Sequence, residues 1–361
     1  MPEIMSFGEA IADSNSNGFS KRHLLLGNGF SIGCRADIFH YASLFGEADF
    51  DGMSEARRVF DALKTQDFEL SIKSMENGAK ILPVYLPEAK ATASLMLLHA
   101  QQLKDLLVTT IAGNHPENPL AIPDEKFWAC RKFLSYFLGD SNNGGQVYTL
   151  NYDLLLYWTL MHDDMPFDDP INLDTNDGFG NDEDDFDADY VVWQGDSGSK
   201  GQRVHYLHGA LHLFDSGSDL KKYTWNRSGQ PLVQQARTSL ERGYFPLFVA
   251  EGTSAQKKNK IRHNAYLHHS FKSFVGNVNQ QKPCFFIFGH SMAKNDDHIL
   301  KKIGYGKFKK LYVGIYGDPG SEGNNLIINR ANGLAAQRNE RYPLDIVFFD
   351  SSSANVWGSK Q

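Results

Sequence analysis

The sequence is short of the residues that staple a fold with metal or disulfides. Its 361 residues hold only three cysteines, Cys34, Cys130 and Cys284, with no C-x-x-C pair. A zinc ribbon and a disulfide framework are excluded, and reduced thiols fit a cytoplasmic setting. No apolar run approaches the roughly 18 residues that span a bilayer. The opening Met-Pro-Glu-Ile-Met has no basic stretch ahead of an apolar one, so no secretory signal is expected. Proline is sparse, 13 against 32 glycines, which fits tight turns better than a Pro-rich linker. There is no basic tract with interleaved aromatics, which argues against direct nucleic-acid binding.

What is present describes a folded chain. Hydrophobic residues make up 41% and charged residues 22%, enough for a sizeable core. The length suggests two domains, or one large domain with an insertion. The net charge is −7, but twelve acidic residues and no Lys or Arg lie between Asp163 and Asp189, leaving the remainder at +5. Three readings fit this acidic loop 163–189. It is a solvated surface loop, or a calcium loop at Asp174-Thr-Asn176-Asp177-Gly178 with glycine one place early, or a face that repels nucleic acid.

Apolar runs at Leu24–Leu26, Val147–Leu150, Tyr190–Trp193, Val204–Leu207, Tyr244–Val249, Cys284–Phe288, Leu311–Tyr316 and Leu344–Phe349 read as strands. Helical patterns separate many of them: Leu154–Met161, a helix carrying Ile261, Leu267, Phe271 and Phe274, and one near Asn325–Asn339. Between about 35 and 140 the signals are mostly helical. Leu95, Leu98, Leu103, Leu106 and Leu107 keep helical spacing, as do Phe127, Cys130, Phe133, Leu134 and Phe137. The character changes after Asn142-Asn143-Gly144-Gly145. The expected fold is α/β: a doubly wound, mostly parallel Rossmann-like sheet from residues 1–34 and 141–361, with residues 35–140 as an inserted helical subdomain.

Four constellations carry chemistry. Gly27-Asn28-Gly29-Phe30-Ser31-Ile32-Gly33 follows a strand and precedes a helix. Its G-x-G-x-x-x-G spacing suits a phosphate cradle or a ligand-free tight turn. Thr149-Leu150-Asn151-Tyr152-Asp153 sits at a strand's carboxyl end, where Asn151 suits a water or ribose hydroxyl, or a helix cap. His208-Gly209 ends another strand, where an exposed imidazole would titrate near neutrality as a general base. Gly289-His290-Ser291 and Asn295-Asp296-Asp297-His298 offer hydroxyl and carboxylate to a ribose, or a turn and cap. His263, His268 and His269 are expected at the surface. Asp296 to His298 is the only compact metal candidate, and no metal is expected.

Together these pieces resemble the sirtuin superfamily, in particular its zinc-less NAD-consuming members of bacterial anti-phage defence. Gly27-Asn-Gly-Phe-Ser31 resembles the family's G-A-G-x-S phosphate loop. Thr149-Leu-Asn151-Tyr-Asp153 resembles its T-x-N-x-D motif, His208-Gly209 its His-Gly pair, and Gly289-His-Ser291 its later G-x-S turn. The motifs keep the family's order across about residues 24–300. Glu251-Gly252-Thr253-Ser254 and Asp177-Gly178-Phe179-Gly180 are similar to a bacterial branch of the same superfamily. The deacylases' four-cysteine zinc module is absent, and Cys34-Arg-Ala-Asp37-Ile-Phe39 stands where their G-I-P-D-F-R segment lies. The resemblance therefore implies cleavage of NAD to nicotinamide and ADP-ribose, not deacylation. It implies Asn151 and His208 as catalytic residues. Gly27, Asn28, Gly29, Ser31, Asp153, Gly289, Ser291 and Asp296 would hold NAD, the amides of Gly27, Gly29 and Ser31 taking the pyrophosphate. A homo-oligomer and a companion ATPase or sensor protein are the implied partners. The alternatives are an NAD or ADP-ribose sensor without turnover, and an interaction subunit of a larger defence complex.

Overall fold

The computed structural model describes residues 2–39, 44–113, 115–139, 144–162, 171–195, 201–224, 229–249 and 253–358. Asn142-Asn143, the first part of the acidic loop and Glu251-Gly252 lie outside the described residues. The chain opens with β1 (Ile4–Ser6), α1 (Phe7–Ser16), β2 (Arg22–Leu26) and α2 (Gly29–Cys34). Between α2 and β3 it is helical, with α3 (Leu44–Glu47), α4 (Ser54–Leu63), α5 (Phe68–Tyr85), α6 (Lys90–Gly113) and α7 (Asp124–Leu138). Then come β3 (Val147–Thr149), α8 (Leu155–Met161), β4 (Phe179–Gly180), β5 (Tyr190–Trp193), β6 (Val204–Tyr206), β7 (Gly209–Asp215) and β8 (Leu220–Tyr223). They are followed by α9 (Leu232–Glu241), β9 (Phe245–Phe248), α10 (Ser254–His263), α11 (Ala265–Val278) and β10 (Cys284–Phe288). The chain ends with α12 (Asp297–Gly304), β11 (Lys310–Ile315), α13 (Glu322–Ala336) and β12 (Asp345–Asp350).

Seven strands form one parallel sheet in the order β1-β12-β11-β10-β2-β3-β6. The reason lies in the strands themselves. Leu24, Leu25 and Leu26 are fully buried, as is every residue of Cys284–Phe288, so these strands need cover on both faces. Helices supply it: α7, within the crossover from β2 to β3, packs on β2 and α8. Phe7 joins Phe133, Phe137, Phe286 and Phe349 in one aromatic cluster across this layer. Omitting β1, the strand order is that of the doubly wound dinucleotide-binding sheets, and it reverses between β2 and β10.

A second sheet departs from the expectation. Tyr190–Trp193 and Phe245–Phe248 do not extend the parallel sheet; they join a five-stranded antiparallel one, β4-β5-β8-β7-β9. The chain passes between the sheets within two residues, Leu207 and His208, because β7 starts at Gly209. Gly209 has φ +70°, and a Cβ there would meet the Leu247 carbonyl oxygen at 2.0 Å, so this corner admits only glycine. The helix expected around Ile261 to Phe274 is two, parted at Asn264, whose side chain accepts from the Leu267 N–H at 3.1 Å. On α6, Leu103 and Leu107 are buried, but Leu95 and Leu98 are exposed, as are Ile81 and Val84 on α5. Among the described residues no helix is long and apolar enough to cross a membrane.

Candidate functional site

Parallel registry brings the sequence motifs to one edge. Phe288 pairs with Leu26, Leu26 with Thr149, and Thr149 with Tyr206. The residues just beyond, Gly289, Gly27, Asn151 and His208, therefore end four adjacent strands at their carboxyl side. Neighbouring strands lie about 4.8 Å apart. The edge includes the β2–β10 switch point, where open α/β sheets bind ligands.

The glycines there serve each other before any ligand. A Cβ on Gly27 would meet the Cα of His290 at 2.7 Å, and one on Gly29 the Cα of Gly289 at 2.6 Å. Gly289 itself has φ +67° and would meet the Phe30 nitrogen at 2.5 Å. The β2 and β10 turns are interlocked backbone to backbone. Gly27 N–H donates to the Phe288 carbonyl (2.9 Å), Gly29 N–H to Gly289 (2.7 Å) and Ser31 N–H to Asn28 (3.0 Å). The expectation that these three amides hold a pyrophosphate is corrected: each already has an acceptor. Gly33 makes room for Trp357, whose ring would lie 3.2 Å from a Cβ there. Asn28 is half-buried before α2 and caps it with no side-chain bond.

Asn151, Ser31 and Asp153 form a buried network. Asn151 Nδ2 donates to the Gly27 carbonyl (3.1 Å) and to Ser31 Oγ (2.9 Å). Ser31 Oγ donates to Asp153 Oδ2 at 2.5 Å, and Asp153 Oδ1 accepts from the Leu155 N–H at 2.9 Å. Burial raises the Asp153 pKa, against the Ser31 and Leu155 hydrogen bonds that lower it. Asp153 thus both anchors the loop and accepts from the first N–H of α8. Asn151 Oδ1 remains, with no hydrogen bond among the described residues.

His208 is not an exposed titrating imidazole, as its strand-end position suggested. It is 3% exposed, because the chain turns into the second sheet instead of opening to solvent. Desolvation drives its pKa well below the ordinary value, with Asp296 pulling the other way and Lys257 reinforcing the fall. His208 Nε2 lies 3.0 Å from His298 Nε2. Desolvation likewise lowers His298, to about 4. Ser254 Oγ sits 3.3 Å from His298 Nδ1.

Asp296 is committed as well, not free for a ribose. Lys257 Nζ holds Oδ1 at 3.0 Å, and His290 Nε2 holds Oδ2 at 3.2 Å. Met292 N–H donates to His290 Nδ1 (2.8 Å), so the His290 proton sits on Nε2 and points at the carboxylate. Burial raises the Asp296 pKa, but the His290 hydrogen bond and the Lys257 ammonium outweigh it and hold it low. His208, Asp296 and His298 each offer one ligand atom within 4.8 Å of the others. The Asp296 oxygens are nevertheless spent on Lys257 and His290, and the two imidazole nitrogens face each other instead of converging on a common point. Ser291 is exposed at the rim.

A cavity of about 1170 Å³ opens beside this cluster, between α4–α5 and α10. Ser254 and Lys257 line it and touch His298 and Asp296, while Val249 lines it and donates to the His208 carbonyl at 2.8 Å. Neither Asn151 nor His208 lines it; His208 is linked to it through Val249 and through His298 and Ser254. The cavity brings a helix N-terminus (Ser254, capped by Thr253), the cations Lys64 and Lys294, and aromatic walls such as Phe68 and Phe248 to one space. Sequence reading missed Lys257, a lysine 4% exposed on an otherwise polar helix. It noted His298 but not its pairing with His208. The capping box Thr253-x-x-Gln256 was the one local signal that α10 starts at the site.

The calcium-loop reading of Asp174 to Gly178 finds its carboxylates occupied. Asp174 pairs with Arg203 (2.9 Å) and Asp177 with buried Lys222 (2.5 Å). His263 is exposed as expected, whereas His268 and His269 are half-buried.

An open parallel sheet of this strand order, with its polar cluster at the switch edge, defines an α/β protein of the doubly wound class. Residues 24–357 match the family described as Domain of unknown function (DUF4917), and the chain belongs to that family. No curated protein matches the chain.

Proposed function

We propose that the protein is an NAD glycohydrolase, cleaving NAD to nicotinamide and ADP-ribose. The observation that supports this most is the register that sets Asn151 and His208 at the ends of adjacent strands, with a large cavity linked to His208 through His298 and Ser254. Nicotinamide leaves as a neutral group from a pyridinium, so its nitrogen needs no acid. The reaction needs an oriented water and a proton acceptor. The Asn151 carbonyl oxygen, without another partner among the described residues, orients water or a ribose hydroxyl. His208 stays neutral at pH 7 and accepts the proton, an effect worth roughly 10²–10⁴ in rate. The phosphates fall to the α10 N-terminus and to Lys64 and Lys294, not to the glycine turn. On this reading NAD is the substrate, no metal takes part, and the setting is cytoplasmic anti-phage defence with a companion protein or a homo-oligomer.

One observation favours a sensor without turnover: the closed Ser31–Asn151–Asp153 network, which suits a rigid binding edge. Chromatography of products after incubation with NAD decides between them. Wild type is expected to release nicotinamide, and Asn151→Ala and His208→Ala to lose about a hundredfold or more. Equal rates for wild type and His208→Ala would remove the base. Binding of NAD with no release by any assembly leaves the sensor.

A further inference from the structure

We infer that Ser31 and Asp153 are positioning residues of Asn151 and not contacts to the substrate. They hold its side-chain amide with both protons bound inward, so that the amide has only its oxygen to offer. That oxygen suits a water or a hydroxyl, which can donate, and not a phosphate, which cannot. This rests on the reading of Asn151 as the residue that orients water or a ribose hydroxyl.

Backbone groups at the two ends of this network set the direction of every bond in it. At one end Asn151 Nδ2 lies 3.1 Å from the Gly27 carbonyl, which accepts and cannot donate. The arm of the amide that faces it is therefore the NH₂; turned over, the side chain would set oxygen against oxygen. The same nitrogen lies 2.9 Å from Ser31 Oγ. An amide nitrogen donates and does not accept, so Ser31 Oγ accepts there and must spend its own proton elsewhere. That proton goes to Asp153 Oδ2 at 2.5 Å. At the other end the Leu155 N–H, which can only donate, holds Asp153 Oδ1 at 2.9 Å. Asp153 thus accepts through both oxygens, as a carboxylate does. Reversing any one bond would bring two donors or two acceptors together at the next. The main chain is fixed as well, since the Asn151 N–H donates to Thr149 Oγ1 at 3.0 Å. Ser31 is wholly buried with its one proton committed, whereas Asn151 Oδ1 keeps no partner among the described residues.

The test is ¹H–¹⁵N spectroscopy of the side-chain amides in labelled full-length protein, with Asn151 assigned by Asn151→Asp. Asp153→Asn and Ser31→Ala are recorded beside wild type, and each is assayed for nicotinamide release. Asp153→Asn keeps the shape but sets an NH₂ where Oδ2 accepted, so Ser31 Oγ meets two donors and its hold on Asn151 is lost. Ser31→Ala removes the acceptor outright and carries the test if Asp153→Asn does not fold. Wild type is expected to show two Asn151 amide protons that exchange slowly with water. Both variants are expected to speed that exchange and to lower kcat at least about tenfold at unchanged KM. Wild-type Asn151 protons that exchange as fast as those of exposed amides overturn the inference, and so do unchanged Asn151 signals in the variants. A raised KM at unchanged kcat overturns it in favour of direct contact with NAD. If wild type releases no nicotinamide, the glycohydrolase reading falls, while the Asn151 amide signals still decide the inference by themselves.

Discussion

Acid should unfold this protein early, because its buried histidines are built to stay neutral. His23, His115, His205 and His298 are each at most 5% exposed. Desolvation lowers His23 and His205 to about 3, and His115 and His298 to about 4, from 6.5. The hydrogen bonds explain why a proton cannot be accommodated. His115 Nε2 accepts from the Leu154 N–H at 2.9 Å while Nδ1 donates to the Pro116 carbonyl at 2.7 Å, so a second ring proton would face an N–H. His23 Nδ1 likewise accepts from the Gln146 N–H at 3.0 Å. The folded pKa lies below the unfolded one in each case. The unfolded chain therefore takes up protons first as pH falls. The stabilisation is complete above pH 6.5 and is lost between pH 6.5 and 4 for His115 and His298, continuing to 3 for the other two. One pH unit corresponds to about 1.4 kcal/mol per group, so at pH 5 each has lost about 2 kcal/mol and the four together about 8. That is the size of a typical total stability. Urea titrations followed by circular dichroism between pH 8 and 5 measure it. The slope should approach 5 kcal/mol per pH unit below pH 6. His115→Gln should flatten the fall by about 2 kcal/mol at pH 5. A stability constant within about 1 kcal/mol from pH 7.5 to 5 would refute the reasoning.

Three further outcomes are expected. Lys257→Met leaves Asp296 buried without its ammonium and should destabilise by about 3–5 kcal/mol, with Lys257→Met/Asp296→Asn recovering part in chemical denaturation. Gly289→Ala should lose about 2–4 kcal/mol from positive φ and the Phe30 clash, whereas Gly276→Ala, which meets nothing, should match or exceed wild type. Val84→Glu/Leu98→Glu alters exposed sites on the α5–α6 hairpin, so stability should move by under about 0.5 kcal/mol while the sedimentation coefficient falls if copies associate there; an unchanged coefficient removes the hairpin as a contact between copies.

Much of the parallel sheet was legible because its strands are continuously apolar. Leu24–Leu26 and Cys284–Phe288 advertise burial on both faces, and that alone implies helices above and below. The second sheet was not legible. Tyr190–Trp193 and Phe245–Phe248 look like any strand, and pairing direction is set by partners far along the chain. The Gly27 turn read as either a phosphate cradle or a tight ligand-free turn, and a Cβ at Gly27 or Gly289 would in fact meet the other turn. A sequence cannot distinguish room made for a phosphate from room made for a neighbouring turn, since both demand the same missing atom. His208 was misjudged in exposure for a similar reason: only the fold shows that the strand it ends continues straight into another sheet. The contact with His298 spans 90 residues and leaves no local trace.

The step from His208 to Gly209 closes the two-residue link between the sheets. No linker cushions it, and its glycine is wedged beneath the Leu247 carbonyl. Any protein that grips the antiparallel half and tilts it therefore turns the very peptide that carries the imidazole. This link between the sheets is Leu207 and His208 alone, so any tilt of one sheet against the other is taken up at the residue that carries the imidazole.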